Sequence, residues 1–295
     1  MNVRAKKNNG KNIVEGLYLY CIREKTEGAP AISIKGIDGN AEVFVFPYQE
    51  LEAVVSKVSL KEFVSEEIQK RAREDLNWIK EKAIIHEKVI EEAMMKDDKI
   101  LSLIPMRFGT IFKEKERLEE TLNKDYPRIR EVLDKIRGKQ EWSVKVYLMD
   151  REKLEQVIKE ENEVIKEKGK EIASLPEGMA FFMEEELKDV ISREVDEELN
   201  NIVEVLFEGL KKQAVDATKC KILEKELTGR REPMILNAAY LISEEKIEDF
   251  KKEIEDLNQE IQAKGFYLEY SGPWPAYNFT QIESFPCKRE SREDK

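Results

Sequence analysis

The chain has 295 residues, room for two domains of roughly 130–150 residues each, and its 41% of hydrophobic residues can form a core. Its formal net charge of −11 argues against a nucleic-acid backbone or an anionic membrane as partner, since both would repel it. The 38% of charged residues favours long solvated helices, and no apolar run approaches the ~20 residues of a membrane span.

In chain order, MNVRAKKNNGKN is basic but lacks an apolar stretch and a small-residue cleavage site, so residues 1–12 are expected to be a frayed terminus and not a secretion signal. IVEGLYLYCI (13–22) is rich in β-branched and aromatic residues and predicts a buried strand. A loop with Gly28 and Pro30 follows, then the turn Asp38-Gly39-Asn40 and two further strands, AEVFVF (41–46) and LEAVVSKV (51–58), parted by Pro47. From about Ser65 to Lys96 the period changes. Leu76, Ile79, Ala83, His86, Ile90 and Ala93 recur at three- and four-residue steps, on one helix face. ILSLIPMRFGTIF (100–112) breaks that period and predicts an extended pass through the core. Leu118, Leu122, Ile129, Leu133 and Ile136 restore it, and Pro127 predicts two short helices instead of one. EWSVKVYLM (141–149) alternates as a strand.

The second half is expected to open on a helix around Leu154, Val157, Ile158 and Ile165, ended by Gly169. After Pro176 a long helix carries Leu187, Ile191, Val195, Leu199, Ile202, Leu206 and Leu210 at helical spacing. A weak stretch near 219–223 precedes the strand MILNAAYLI (234–242). Ser243 is placed to cap the next helix, with stripe Ile247, Phe250, Ile254, Leu257 and Ile261 and Gly265 as its terminating glycine. FYLEYS (266–271) is the last strand and runs into GPWPAYNF, before a charged tail over 286–295 that is expected to be disordered. This order predicts α+β architecture in two domains, 13–150 and 151–285, the second helix-rich with a small sheet.

Candidate functional residues are few. Cys21, Cys220 and Cys287 are widely spaced with no CxxC, which fits a reducing cytoplasm and gives no metal framework. His86 is the one histidine; it reads either as a general base or ligand, or as a packed or interface histidine on an apolar stripe with one hydrogen-bonded nitrogen. In PMRFGT (105–110), Arg107 beside Phe108 could clamp an anion or lock a strand to a neighbouring element. Acidic runs such as EEEL (184–187) and KEENEV (159–164) lack the spacing of a hard-cation loop and read as solvated helix faces. No nucleotide-binding glycine motif, nucleophile–base pair or metal set is present, so neither an enzyme nor a cofactor is expected. In SGPWPAYNF (271–279), proline constrains Gly272 and Trp274. Trp274, Tyr277 and Phe279 are then either a lid on a core or an aromatic surface for a partner. Of the two, Trp274 is expected to be mainly packed, leaving Tyr277 and Phe279 to supply any contact surface.

GLYLYCI (16–22), the helix containing His86, LIPMRFGTIF (103–112), EWSVKVYL (141–148), LNAAYLI (236–242) and SGPWPAYNF, in this order, resemble the gas vesicle accessory proteins of the F/L type. RFGT and GPWP are the most specific elements. Ala276 stands where that family usually has a second proline and Cys21 where a glycine is common. The resemblance implies an N-terminal domain with a modified ferredoxin-like fold. It also implies a non-enzymatic role in building gas vesicles in the cytoplasm, with the hydrophobic shell protein and other accessory proteins as partners, and neither nucleic acid nor membrane. A regulatory module that binds a small ligand through Arg107 is the alternative class. The resemblance carries over no catalytic residue; Arg107, Phe108, Trp274, Tyr277 and Phe279 are the candidate contact or motif residues.

Overall fold

The computed structural model describes residues 15–26, 32–63, 74–96, 99–282 and 285. The expected frayed start, the expected loop at Gly28 and Pro30, the expected helix start near Ser65, Cys287 and the charged residues 286–295 lie outside the described residues. The chain divides into two compact units. The first comprises residues 1–138 and 275–295, and the second, 139–274, is inserted between them. The expected division at residue 150 is displaced, because the strand at 139–148 forms its ladders with later strands.

In the first unit, strands β1 (Glu15–Glu24), β2 (Val43–Tyr48) and β3 (Leu51–Ser59) are followed by a short helix, α1 (Leu60–Phe63), and by α2 (Leu76–Met94). A hairpin of β4 (Met95–Lys96) and β5 (Lys99–Ile100), strands β6 (Leu103–Pro105) and β7 (Ile111–Phe112), and α3 (Lys115–Ile136) complete the run. The sheet has the order β2-β3-β1-β6 with antiparallel neighbours, and β7 also pairs with β1. Pro47 sits on edge strand β2, where its missing donor costs no ladder bond. β1 is buried from Tyr18 through Ile22 without alternation and carries a bulge between Leu19 and Cys21. Helices α2 and α3 both pack on it, which is why this strand reads as a continuous apolar run.

Helix α3 is continuous through Pro127, contrary to the two short helices expected. Leu118, Leu122, Ile129, Val132, Leu133 and Ile136 are all buried along one stripe, each contributing roughly 1.5–3 kcal/mol. Pro127 lies on the exposed side, where the loss of one backbone bond, about 3 kcal/mol, does not outweigh that stripe. Pro127→Ala is expected to raise the stability of the first unit by about 2 kcal/mol, the helix gain reduced by the freer unfolded chain. Slower hydrogen exchange of α3 amides is the readout; unchanged exchange would mean that the helix is already strain-free.

In the second unit, β8 (Lys139–Leu148) leads through α4 (Arg151–Glu161), α5 (Glu163–Ala173) and α6 (Glu177–Lys211) to edge strand β9 (Asp216–Lys219). A short helix α7 (Lys225–Thr228), β10 (Met234–Ser243), α8 (Ile247–Gln262) and β11 (Phe266–Trp274) follow. Its antiparallel sheet has the order β11-β8-β10-β9. Numbered along the path of each sheet, leaving aside the β4–β5 hairpin and β7, both therefore run fourth, first, third, second strand across space. Val144, Val146 and Leu148 of β8 meet Leu236, Ala238 and Tyr240 of β10 in the core, over Ile191, Val195 and Leu210 of α6 and Phe250 of α8.

Two local expectations are corrected. The helix after residue 150 breaks at Asn162, whose side chain accepts from the Val164 and Ile165 amides and caps α5. Gly169 stays inside α5, whose last turn is held by buried Ile172. Ser243 makes no side-chain cap; a single 3-10 turn, Glu244–Lys246, intervenes before α8. Gly265 does follow the end of α8 with φ of 88°, and a side chain there would meet the Asp150 carbonyl oxygen.

Candidate functional site

His86 is presented by the buried stripe of α2, beside Val89 and Ile90. Its Nε2 lies 3.0 Å from the Met106 carbonyl oxygen and its Nδ1 lies 3.0 Å from the Tyr18 hydroxyl. A carbonyl can only accept, so Nε2 carries the proton and Nδ1 accepts from Tyr18. The Gly109 amide then donates to the Tyr18 oxygen at 2.9 Å. The Tyr277 hydroxyl sits 3.3 Å from Nε2 and donates to the Glu87 carboxylate at 2.8 Å. Burial pushes the imidazole down to about 4, opposed in part by the Met106 carbonyl. The Glu87 carboxyl is pushed up by burial against the lowering effect of the Tyr277 hydrogen bond, and burial likewise raises the Tyr277 phenol. His86 is thus neutral at pH 7 with both nitrogens engaged. The packed reading holds, and it holds with two bonded nitrogens.

The RFGT stretch is a tight turn that returns the chain to β1. Gly109 adopts φ of 84°, a conformation that a side chain would strain. Buried Thr110 closes the turn by donating its hydroxyl to the Arg107 carbonyl at 2.7 Å, while its own carbonyl accepts from the Leu19 amide. Arg107 is exposed, and its guanidinium donates to the Gln281 side chain at 3.0 Å. The segment carrying Gln281 is itself tightly wound: the Thr280 hydroxyl donates to the Ala276 carbonyl at 2.6 Å, and Ala276, Phe279 and Thr280 are buried. Lys135 lies over the Phe279 ring at 5.8 Å. The turn and this segment border an open cavity of about 510 Å³ lined by Met106, Arg107, Thr110, Asn278, Gln281 and Phe285.

Trp274 belongs to the second unit, at the end of edge strand β11 and opposite Glu141. It is 42% exposed, and its indole nitrogen donates to the Ser271 hydroxyl at 3.0 Å. The expectation of a packed Trp274 with Tyr277 and Phe279 displayed is therefore reversed. Trp142 of β8 fills the core beneath the motif instead, and Gly272 lies flat on it: a Cβ there would stand 2.8 Å from the indole ring. Tyr277 is committed to Glu87 and His86, and Phe279 is buried. Phe108, 37% exposed, and Trp274 are the motif aromatics left at the surface, one on each unit. Tyr18 and Glu87 were missed as parts of the His86 cluster. The signal for Tyr18 was its place in a wholly buried strand, where a phenol needs a partner.

The gas vesicle synthesis protein GvpL/GvpF family model matches residues 16–281. Gas vesicle protein F of Nostoc sp. strain PCC 7120 is 29% identical over 202 residues, covering 68% of this chain and 77% of the relative. Gas vesicle protein F1 of Halobacterium salinarum is 24% identical over 92% of this chain and 95% of its own length. The crystal structure of gas vesicle protein GvpF from Anabaena sp. PCC7120 superposes with a TM-score of 0.66 at 22% identity, covering 93% of this chain and 100% of that one, a likeness of fold. A match running from the first turn of β1 to Gln281 takes in both units and both motifs, and the chain belongs to the gas vesicle synthesis protein GvpL/GvpF family.

Proposed function

We propose that this protein is a non-enzymatic assembly factor for gas vesicles, acting in the cytoplasm by binding the hydrophobic shell protein together with other accessory proteins of the vesicle. The relatives it matches are named as gas vesicle proteins. A small, apolar, β-rich shell subunit would aggregate through its edges when free, so a soluble acidic partner that covers part of it has a physical use. The observation that carries the reading is Trp274. A large aromatic half out in solvent, fixed by its bond to Ser271, is the kind of side chain that dominates protein interfaces. Pro273 beside it offers no amide, and the Leu268 amide on the same edge strand is already taken by the Asn258 side chain. Contact is therefore made by the aromatic side chain more than by strand addition. We also read both units as versions of one ferredoxin-like β-α-β-β-α-β plan, supported by their common strand order; between β1 and β2 of the first unit no helix occurs among the described residues.

Capture of purified shell protein by the native chain and by Trp274→Ala tests the proposal. The substitution is expected to weaken capture by about 30-fold, a hot-spot loss near 2 kcal/mol, while far-UV circular dichroism stays unchanged. Capture at native strength would remove Trp274 from the interface. Failure of the native chain to capture shell protein at all would overturn the function. The alternative, a regulatory module with Arg107 as an anion contact, has the cavity beside Arg107 in its favour. There, however, the guanidinium is engaged by a neutral amide of the chain's own Gln281.

A further inference from the structure

Helix α6 runs from Glu177 to Lys211, yet its first buried side chain is Ile191. Within its opening turns Met179, Phe181 and Phe182 are 58%, 61% and 72% exposed. The two phenyl rings meet edge to face at 5.9 Å, forming one continuous apolar surface. Met179, Met183, Leu187 and Val190 follow one another at four- and three-residue steps, so the surface continues along the helix. It leads into a groove of about 290 Å³ between α5 and α6, whose apolar lining is Ile172, Met183, Leu187 and Val190. Consecutive phenylalanines on a solvated helix fill no core of their own unit, and exposed patches of this kind mark interaction sites.

The charges around the patch select what fits it. Glu177, Glu184, Glu185, Glu186 and Asp189 stand around this surface against Lys188, which pairs with Glu185, and against Lys168 and Arg193 of the groove lining, so acids outnumber bases five to three. A second copy of the chain would bring the same acids to the contact, and an anionic lipid surface would be repelled in the same way. An apolar helix face flanked by lysine or arginine would be attracted, with its side chains seated at successive turns along Met179, Met183 and Leu187.

We propose that the first turns of α6 and the α5–α6 groove form a docking surface for an amphipathic basic helix of a partner protein. The surface is separate from Trp274 and does not depend on shell-protein binding there. Methionine and phenylalanine adapt to varied apolar faces, so the acidic rim sets the choice of partner.

The full chain is titrated with three fluorescein-labelled synthetic peptides: an amphipathic Leu/Lys helix, its Leu/Glu counterpart, and a scrambled Leu/Lys peptide with no apolar face. The amphipathic Leu/Lys helix is expected to bind, and the other two at least about tenfold more weakly. Phe181→Ser/Phe182→Ser is expected to lower the affinity by about tenfold or more with the charge untouched. Glu184→Lys/Glu185→Lys/Glu186→Lys is expected to shift preference toward the Leu/Glu helix. Equal binding of the scrambled peptide, or undiminished binding by the double serine variant, would show mere attraction to an acidic protein and overturn the proposal. So would self-association, or binding to neutral phosphatidylcholine vesicles, that the double serine variant abolishes, because the occupant would then be a second copy or lipid.

Discussion

Arg23→Met is expected to lower the stability of the first unit by about 3–5 kcal/mol, and Glu52→Leu by a similar amount. Arg23 is 1% exposed at the end of β1; its Nε donates to Glu52 at 3.0 Å and one η nitrogen donates to the Ala93 carbonyl at 2.8 Å. Ala93 lies in the last turn of α2, which has no basic residue of its own, so the guanidinium also supplies the positive charge that a helix C-terminus favours. Removing either partner leaves a charge buried without compensation. Removing both leaves an apolar pair of similar volume, and buried ion pairs replaced in this way are often neutral or better. The other η nitrogen has no hydrogen-bond partner among the described residues, which lowers the net worth of the pair. The double variant is therefore expected to recover most of what each single variant loses. Hydrogen-exchange protection of β1 amides reports the first unit by itself, since a chain of two units need not unfold in one step. If the double variant lost as much as the two singles combined, the pair would be uncoupled and the account wrong.

Arg23 also shows where sequence reasoning stops. A charged residue just past LYCI reads as a strand leaving the core; only the fold reveals that β6 and the end of α2 close over it. Helices were legible wherever an apolar stripe repeated, as in Leu118–Leu122–Ile129 of α3 or Phe250–Ile254–Ile261 of α8. Strands were legible from β-branched and aromatic runs. The strand order was not, because it is fixed by contacts far apart in the chain, and the boundary at 150 failed for that reason: β8 looked like the end of one sheet and is a central strand of the other. Trp142 and Trp274 could not be ranked for burial without the register of β11 on β8, which puts a glycine against one indole and turns the other outward. The motif residues were legible by resemblance, but not their directions. Tyr277 points inward because α2 offers it Glu87 and His86, a partnership spanning 190 residues. The Phe181–Phe182 patch had a readable sign, a pair of phenylalanines ahead of three glutamates, but that sign lies outside the stripe that defines the buried face of α6.

His86 gives the second large effect, through pH. Burial holds its imidazole down to about 4 in the folded chain, against an ordinary value of 6.5 when unfolded. Between those values the unfolded chain takes up a proton that the folded chain refuses, so stability falls as pH drops. The contribution is complete above pH 6.5, declines from 6.5 to about 4 and is flat below, a change of about 3 kcal/mol at 1.36 kcal/mol per pH unit. Glu87, its neighbour, runs the opposite way. Its raised carboxyl favours the folded state most at low pH, and that advantage fades as pH rises through its folded value. The His86 component is therefore isolated by difference. Glutamine at this position keeps an N–H for the Met106 carbonyl and an oxygen for the Tyr18 hydroxyl, but does not titrate. His86→Gln is expected to be less stable than the native chain at pH 7.5, with the gap narrowing by about 3 kcal/mol toward pH 4. Exchange protection of β1 amides in both chains across that range measures the gap. A gap that stays constant with pH would show that the imidazole takes up its proton without leaving the fold, and that the Tyr18–His86–Met106 chain of hydrogen bonds opens more easily than its burial implies.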